Sequence, residues 1–148
     1  LQKHNVEFTH HLFPYQEKGG TAHSSQELGV EEHAVIKTLI MENEKKEPLV
    51  VHMHGDMQVS TKQLARFLNV KTIQPCKPEV ADRHSGYQVG GTSPFGTRKV
   101  MPVYMEETIL KLERIYINGG KRGYLVGMSP LEVQKILNPT LVHVGVVG

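Results

Sequence analysis

A chain of 148 residues with 39% apolar side chains is the size of one domain around one core, and residues 1–148 are read as a single domain. No apolar run reaches the roughly 20 residues of a membrane-spanning helix, and no signal-peptide pattern opens the sequence. The formal net charge of +2 permits an anionic partner but lacks a polybasic tail, and a single cysteine, Cys76, excludes an intrachain disulfide and fits a reducing, cytoplasmic setting. Because the first residue is Leu1, a short N-terminal piece is expected to precede it.

Alternation from Val6 to Phe13 predicts a first strand, ended by Gly19-Gly20. Ser24 and Glu27 have capping-box spacing and predict a short helix closed by Gly29. The apolar run Ala34 to Met41 predicts a strand, and the polar segment Asn43 to Pro48 turns it into a second strand, Leu49 to His54, as a hairpin. Ser60 and Gln63 form another capping box before a helix with a Leu64, Phe67, Leu68 stripe. A short strand over Val70 to Gln74 precedes a helix that opens with Pro78 and runs to about His84. Val100 to Met105, Arg114 to Asn118 and Gly123 to Gly127 read as strands. Ser129-Pro130-Leu131-Glu132 starts a helix that buries Val133, Ile136 and Leu137 and stops at Asn138-Pro139, and Leu141 to Val147 reads as a last strand. Strands outnumber helices, and hairpin links outnumber helical crossovers. This predicts an α+β domain with a mixed, largely antiparallel sheet rather than a doubly wound nucleotide fold.

Three features could carry chemistry. Lys37 interrupts the apolar strand on the face shared by Val35, Leu39 and Met41, where an ammonium is costly unless something negative meets it. It either serves a cleft or snorkels to the sheet edge. The segment Gly90-Gly91-Thr92-Ser93-Pro94-Phe95-Gly96 offers backbone N–H groups for an anion or forms a bulged turn. The segment Asn118-Gly119-Gly120-Lys121-Arg122-Gly123 suits a phosphate or carboxylate, or is a solvated turn with two surface cations. Neither loop is a Walker motif or a dinucleotide fingerprint. His52 and His54 share a strand face, but no third ligand lies in register with them, so no metal or other cofactor is expected. Cys76 sits in a proline-flanked loop and would need a histidine nearby to act as a nucleophile.

Taken together, Lys37-Thr38-Leu39, then Gly86-Tyr87-Gln88-Val89 leading into Gly90 to Gly96, then Ile115-Tyr116-Ile117 leading into Asn118 to Gly123, resemble the YbaK/EbsC family in order and spacing. These are free-standing aminoacyl-tRNA deacylases, similar to the editing domain inserted in bacterial prolyl-tRNA synthetases; the best-known members hydrolyse Cys-tRNA(Pro). The resemblance spans nearly the whole chain, from Val6 through the Ser129-Pro130 helix. It implies a compact α+β domain with a mixed, partly barrel-like sheet, flanking helices and a cleft for the aminoacylated 3′ end of tRNA. It implies catalytic roles for Lys37, Gly91, Thr92 and Ser93. Substrate contacts fall on Phe13, Thr38, Gly90, Pro94, Phe95, Gly96, Asn118, Gly119, Gly120, Lys121, Arg122 and Gly123. Its partners would be aminoacyl-tRNA and prolyl-tRNA synthetase, with neither DNA nor membrane. Asn118 stands where many members have a small hydroxyl residue. Tyr124-Leu125-Val126 stands where some members have an acidic residue. The aminoacyl group is therefore open between cysteine, alanine and other small side chains.

The mechanism implied is hydrolysis of an aminoacyl ester through a tetrahedral oxyanion held by N–H groups of the first glycine loop. Lys37 would hold the carbonyl oxygen, the terminal ribose or a phosphate. No general base is visible, so water positioned by substrate and backbone, or the substrate's own thiol, would attack. Lys62, Arg66, Lys71, Lys77, Arg98, Lys99, Lys121 and Arg122 could contact the tRNA backbone. The alternatives are a non-catalytic tRNA- or synthetase-binding module and a phosphate- or nucleotide-binding regulator.

Overall fold

A computed structural model describes residues 8–16, 19–87, 91–95, 97 and 100–147. Gln88, Val89, Gly90, Gly96, Arg98 and Lys99, named above, lie outside the described residues, as does the start of the first strand at Val6. The strands are β1 (Thr9–Leu12), β2 (Val35–Asn43), β3 (Pro48–His54), β4 (Met57–Val59), β5 (Ile73–Pro75), β6 (Val103–Glu106), β7 (Ile115–Asn118), β8 (Tyr124–Met128), β9 (Thr140–Val142) and β10 (Gly145–Val147). The α-helices are α1 (Gly20–Leu28), α2 (Thr61–Leu68), α3 (Pro78–Ser85) and α4 (Pro130–Leu137), with single 3₁₀ turns at Glu32–Ala34 and Glu107–Lys111.

The main sheet runs β1-β8-β7-β2-β3-β6-β9, and β4 and β10 form a separate two-stranded ribbon. The sheet is mixed, as its hairpin-rich sequence predicts. β2–β3, β7–β8 and β1–β8 are antiparallel, whereas β2–β7, β3–β6 and β6–β9 are parallel. The predicted hairpin is the β2–β3 pair, in register from Ile36↔His54 to Glu42↔Pro48. Strand alternation divides the core by sheet face. Leu39, Met41, Leu49, Val51 and Met53 pack with Leu64 and Val142. On the opposite face Ile36 joins Ile115, Ile117, Val126 and Val133, while Ile40 and Val50 pack against Ala81 and Met101.

Several local expectations are corrected. Ser24 and Ser25 do not cap a helix; α1 already starts at Gly20, and both hydroxyls are turned inward, donating to the carbonyls of Gly20 and Ala22. Phe67 is not core but 56% exposed, with Ala65 taking the buried position beside Leu64. Val100 is exposed and precedes its strand, which begins at Val103. The last strand is broken into β9 and β10 at His143-Val144, where the backbone leaves one sheet for the other. Other signals carry over directly. Ser60 caps α2 by accepting the Gln63 N–H, Ser129 caps α4 by accepting the Leu131 N–H, and left-handed Asn69 and Asn138 end those two helices.

His52 is fully buried on β3 and held neutral, its pKa lowered by burial to about 4. Unfolded histidine binds a proton near pH 6.5, so the unfolded state gains that proton first and stability falls as pH drops from about 6.5 to 4. For one such group the slope is about 1.4 kcal/mol per pH unit. Denaturant unfolding across this window should show that loss, with a shallower slope in His52→Phe; equal slopes would mean His52 is not buried neutral.

Candidate active site

Strand β2 has β3 along one edge, but its other edge is shared. β7 pairs with it at Val35 and Ile36, and β5 pairs with it at Met41 to Asn43. Between them the sheet forks. Only the Cys76 N–H reaches in, to the Ile40 carbonyl at 3.1 Å, so Lys37, Thr38 and Leu39 lack a strand partner on that edge among the described residues. Continuing the parallel register past Ile36↔Ile117 sets Asn118 beside Lys37, where β7 gives way to the 118–123 turn.

That turn is tied to itself and to its neighbours. Asn118 accepts the Gly120 N–H at 2.7 Å and donates to the Lys121 carbonyl at 3.0 Å, so its side chain braces the turn. The Phe13 N–H donates to the Gly123 carbonyl at 2.9 Å. Gly123 has φ +79°, and a Cβ there would lie 2.5 Å from the Phe13 carbonyl oxygen, so both the backbone and the packing require glycine. The two glycine loops, distant in sequence, meet here. A Cβ on Gly91 would lie 2.6 Å from the Arg122 nitrogen, and one on Gly120 would touch the Tyr87 ring.

Within the first loop Thr92 and Ser93 are buried, as is Pro94. The Ser93 hydroxyl accepts the Phe95 N–H at 3.1 Å, and the Tyr87 hydroxyl donates to the Phe95 carbonyl at 2.8 Å. The Phe95 ring packs on the Ile36 face of the sheet. Lys121 and Arg122 are exposed, over the rings of Tyr124 (5.7 Å) and Tyr15 (4.9 Å). Tyr87 belongs to the motif that carries the resemblance but had no role assigned, and no sequence signal marks Tyr15. The signal for Tyr87 was its place three residues before the glycine pair.

Lys37 is half-buried, and its ammonium donates to the Met57 carbonyl at 2.6 Å. Burial lowers its pKa, against which the carboxylates of Glu32 and Asp56 act. The negative groups that its position demanded are therefore present, supplied by segments that no sequence motif marked. Its side chain lies on the Leu39 face, and no hydrogen bond or ion pair joins it to the 91–95 loop or the 118–123 turn among the described residues. Thr38 points to the other face, 3.4 Å from His52 Nδ1. The fork thus sets the 118–123 turn, with the first glycine segment packed on it, beside the open edge at Thr38, while the Lys37 side chain lies on the sheet face opposite Phe95.

Two other candidates take different roles. The histidine pair on β3 is buried; both His54 nitrogens are engaged, by the His33 carbonyl and the Thr108 hydroxyl. No group of three or more His, Cys, Asp or Glu side chains converges as a metal site among the described residues. Burial, reinforced by Glu42, pushes the Cys76 thiol up to about 12, so it stays protonated and is a poor nucleophile. Among the described residues no helix is long and apolar enough to cross a membrane.

Comparison with known proteins places the chain in a family. Residues 18–136 match the aminoacyl-tRNA editing domain, and the chain belongs to that family. It is 27% identical over 139 residues to EbsC of Enterococcus faecalis, a proposed Cys-tRNA(Pro)/Cys-tRNA(Cys) deacylase, covering 93% of this chain and 85% of that protein. It is 31% identical over 116 residues to a proline–tRNA ligase of Thermodesulfovibrio yellowstonii, covering 77% of this chain but 19% of the ligase. Among solved structures, a proposed trans-editing enzyme for prolyl-tRNA synthetase superposes with TM-score 0.82 at 18% identity, over 95% of this chain and 86% of that one. A hypothetical protein superposes with TM-score 0.89 at 18% identity, over 98% and 95%.

Gly91→Ala should force the two loops apart. Overpacking of this kind costs about 1–3 kcal/mol, to be read as a lowered Tm together with shifted amide resonances at both 91–95 and 118–123. Shifts confined to the first loop would refute the contact.

Proposed function

We propose that this protein is a trans-editing deacylase that hydrolyses the ester between a small amino acid, cysteine foremost, and the terminal ribose of a mischarged tRNA. The observation that supports it is the forked edge of β2, where the 118–123 turn begins beside Lys37 and the first glycine segment packs on that turn. In this reading the aminoacylated 3′ end enters the fork, and N–H groups of Gly91, Thr92 and Ser93 face the ester carbonyl. Water, or the thiol of a cysteinyl substrate, adds to that carbonyl. The resulting oxyanion takes up those N–H bonds, and the carbon–oxygen bond to the ribose breaks. Each donor of this kind is worth about 10²–10³ in rate. With water as the nucleophile, the products are the free amino acid and tRNA.

Lys37 must exchange the Met57 carbonyl for the substrate's carbonyl oxygen, ribose or phosphate, one charge-assisted bond for another. Phe13, Thr38, Pro94, Phe95 and the 118–123 turn would shape the aminoacyl pocket, with Gly90 and Gly96 completing the first loop. A pocket wall discriminates one methylene by about 1–3 kcal/mol, which favours small side chains without selecting one absolutely. Lys121 and Arg122 are the cations beside the fork and would meet the phosphates of the acceptor end. Lys62, Arg66, Lys71 and Lys77 lie on α2 and the segment that follows it. The likeness to part of a proline–tRNA ligase supports a tRNA(Pro) substrate and a working relation with that synthetase.

The test is hydrolysis of Cys-tRNA(Pro), Ala-tRNA(Pro) and other small mischarged tRNAs, with Lys37→Ala alongside. Wild type should release the amino acid, whereas the variant should fold normally and lose at least about 10²-fold in rate, the scale of one lost transition-state contact. Equal rates would remove Lys37 from the mechanism. Binding of tRNA without release from any substrate would support the binding-module alternative. Affinity for tRNA should also fall as salt rises, less steeply once Lys121 and Arg122 are both replaced by alanine; an unchanged slope would place the phosphates elsewhere.

A further inference from the structure

Glu106 is 1% exposed at the end of β6, and the chemistry outlined above makes no use of it. A carboxylate buried so completely must have its charge met. Its Oε1 accepts two consecutive backbone N–H groups, Val144 at 2.8 Å and Gly145 at 2.7 Å. Its Oε2 lies 3.2 Å from His143 Nδ1 and 3.3 Å from the Thr108 hydroxyl. The two N–H groups belong to the end of the break between β9 and β10 and to the first residue of β10. The carboxylate therefore fixes the point at which the chain leaves the main sheet and enters the ribbon.

The ribbon leads to Lys37. β10 pairs antiparallel with β4, Gly145↔Val59 through Val147↔Met57. The Met57 carbonyl, on β4, accepts the Lys37 ammonium. Contact is close where the two meet. A Cβ on Gly145 would lie 2.9 Å from Met57 Cε and 3.2 Å from Glu106 Oε1. The other end of β4 is held by the same neighbourhood. Asp56, in the turn before it, bonds His33 Nδ1 at 2.8 Å, and His33 stacks on His54 at 3.7 Å. The His33 carbonyl lies 2.7 Å from His54 Nδ1, and His54 Nε2 lies 2.7 Å from the Thr108 hydroxyl. Thr108 stands two residues from Glu106.

We propose that Glu106 is a positioning residue for Lys37: its buried carboxylate fixes the β10–β4 ribbon and with it the Met57 carbonyl that holds the lysine ammonium. Two substitutions separate geometry from charge. Glu106→Gln keeps an oxygen for both N–H groups and loses the charge. Glu106→Asp keeps the charge and draws it back by one methylene. The first readout is the Lys37 side-chain ammonium resonance in the free protein, which needs no catalysis. The second is the split between kcat and KM, which rests on the deacylase reading.

Glu106→Asp should shift the Lys37 resonance and lower kcat by about 10- to 100-fold, the scale of an ångström-level misplacement, with KM little changed. Glu106→Gln should leave both near wild type. Gly145→Ala, which displaces the ribbon without altering the carboxylate, should shift the same resonance and stands in if Glu106→Asp does not fold. Val133→Ala, buried on α4, controls for loss of stability alone. An unmoved Lys37 resonance in both Glu106→Asp and Gly145→Ala, or an equal shift in Val133→Ala, overturns the proposal. A shifted resonance with no hydrolysis even by wild type would uphold the positioning role and refute the deacylase reading instead.

Discussion

The edge of β2 that faces away from β3 cannot be paired along its whole length. β7 arrives parallel and departs after two residue pairs, and β5 joins antiparallel only at Met41. Unpaired backbone inside a sheet demands other partners, and the fold leaves that demand at Thr38, since Lys37 and Leu39 turn their backbone groups toward β3. Everything assigned to the candidate site is arranged around this fork. The turn after β7 begins where β7 peels away, the first glycine loop packs on that turn, and the hydrophobic faces on either side hold the walls in place.

Electrostatics at the fork follow from burial. A lysine on an apolar strand loses water, which weakens its hold on its proton, and Glu32, Asp56 and the Met57 carbonyl compensate. A carboxylate at Glu106 loses still more water. Burial alone would raise its pKa, yet the Val144 and Gly145 N–H groups, Thr108 and His143 together outweigh that and hold it below the usual carboxylate range. The two buried charges sit at opposite ends of one ribbon, β4–β10. The fold thus meets each charge with backbone groups of the same small element, and this couples their positions.

The resemblance to an editing family and the geometry carry different parts of the functional conclusion. Family membership is established by the match over residues 18–136. The proposed chemistry rests on what this chain places at the fork. Asn118 illustrates the difference. This chain has an amide there, which accepts the Gly120 N–H and donates to the Lys121 carbonyl within the turn. Its side chain therefore braces the shape of the turn.

Much was legible in the sequence because it depends on local spacing. The capping residues Ser60 and Ser129, the β2–β3 hairpin, the helix opening at Pro78 and the mixed sheet follow from periodicity, turn chemistry and the count of hairpins. Ser24 was misread because a serine–glutamate spacing is as compatible with the middle of a helix as with its start, and only packing turned both α1 hydroxyls inward. The sequence also determined that Lys37 needs a counter-charge, since strand alternation puts it among apolar neighbours. Which groups would answer was settled by the tertiary structure alone. Met57 and Asp56 are brought to Lys37 by the turn and ribbon that follow β3, and Glu106 acts on residues 38 and 39 positions later in the chain. Such contacts join segments by loop closure and strand register, which no local pattern encodes.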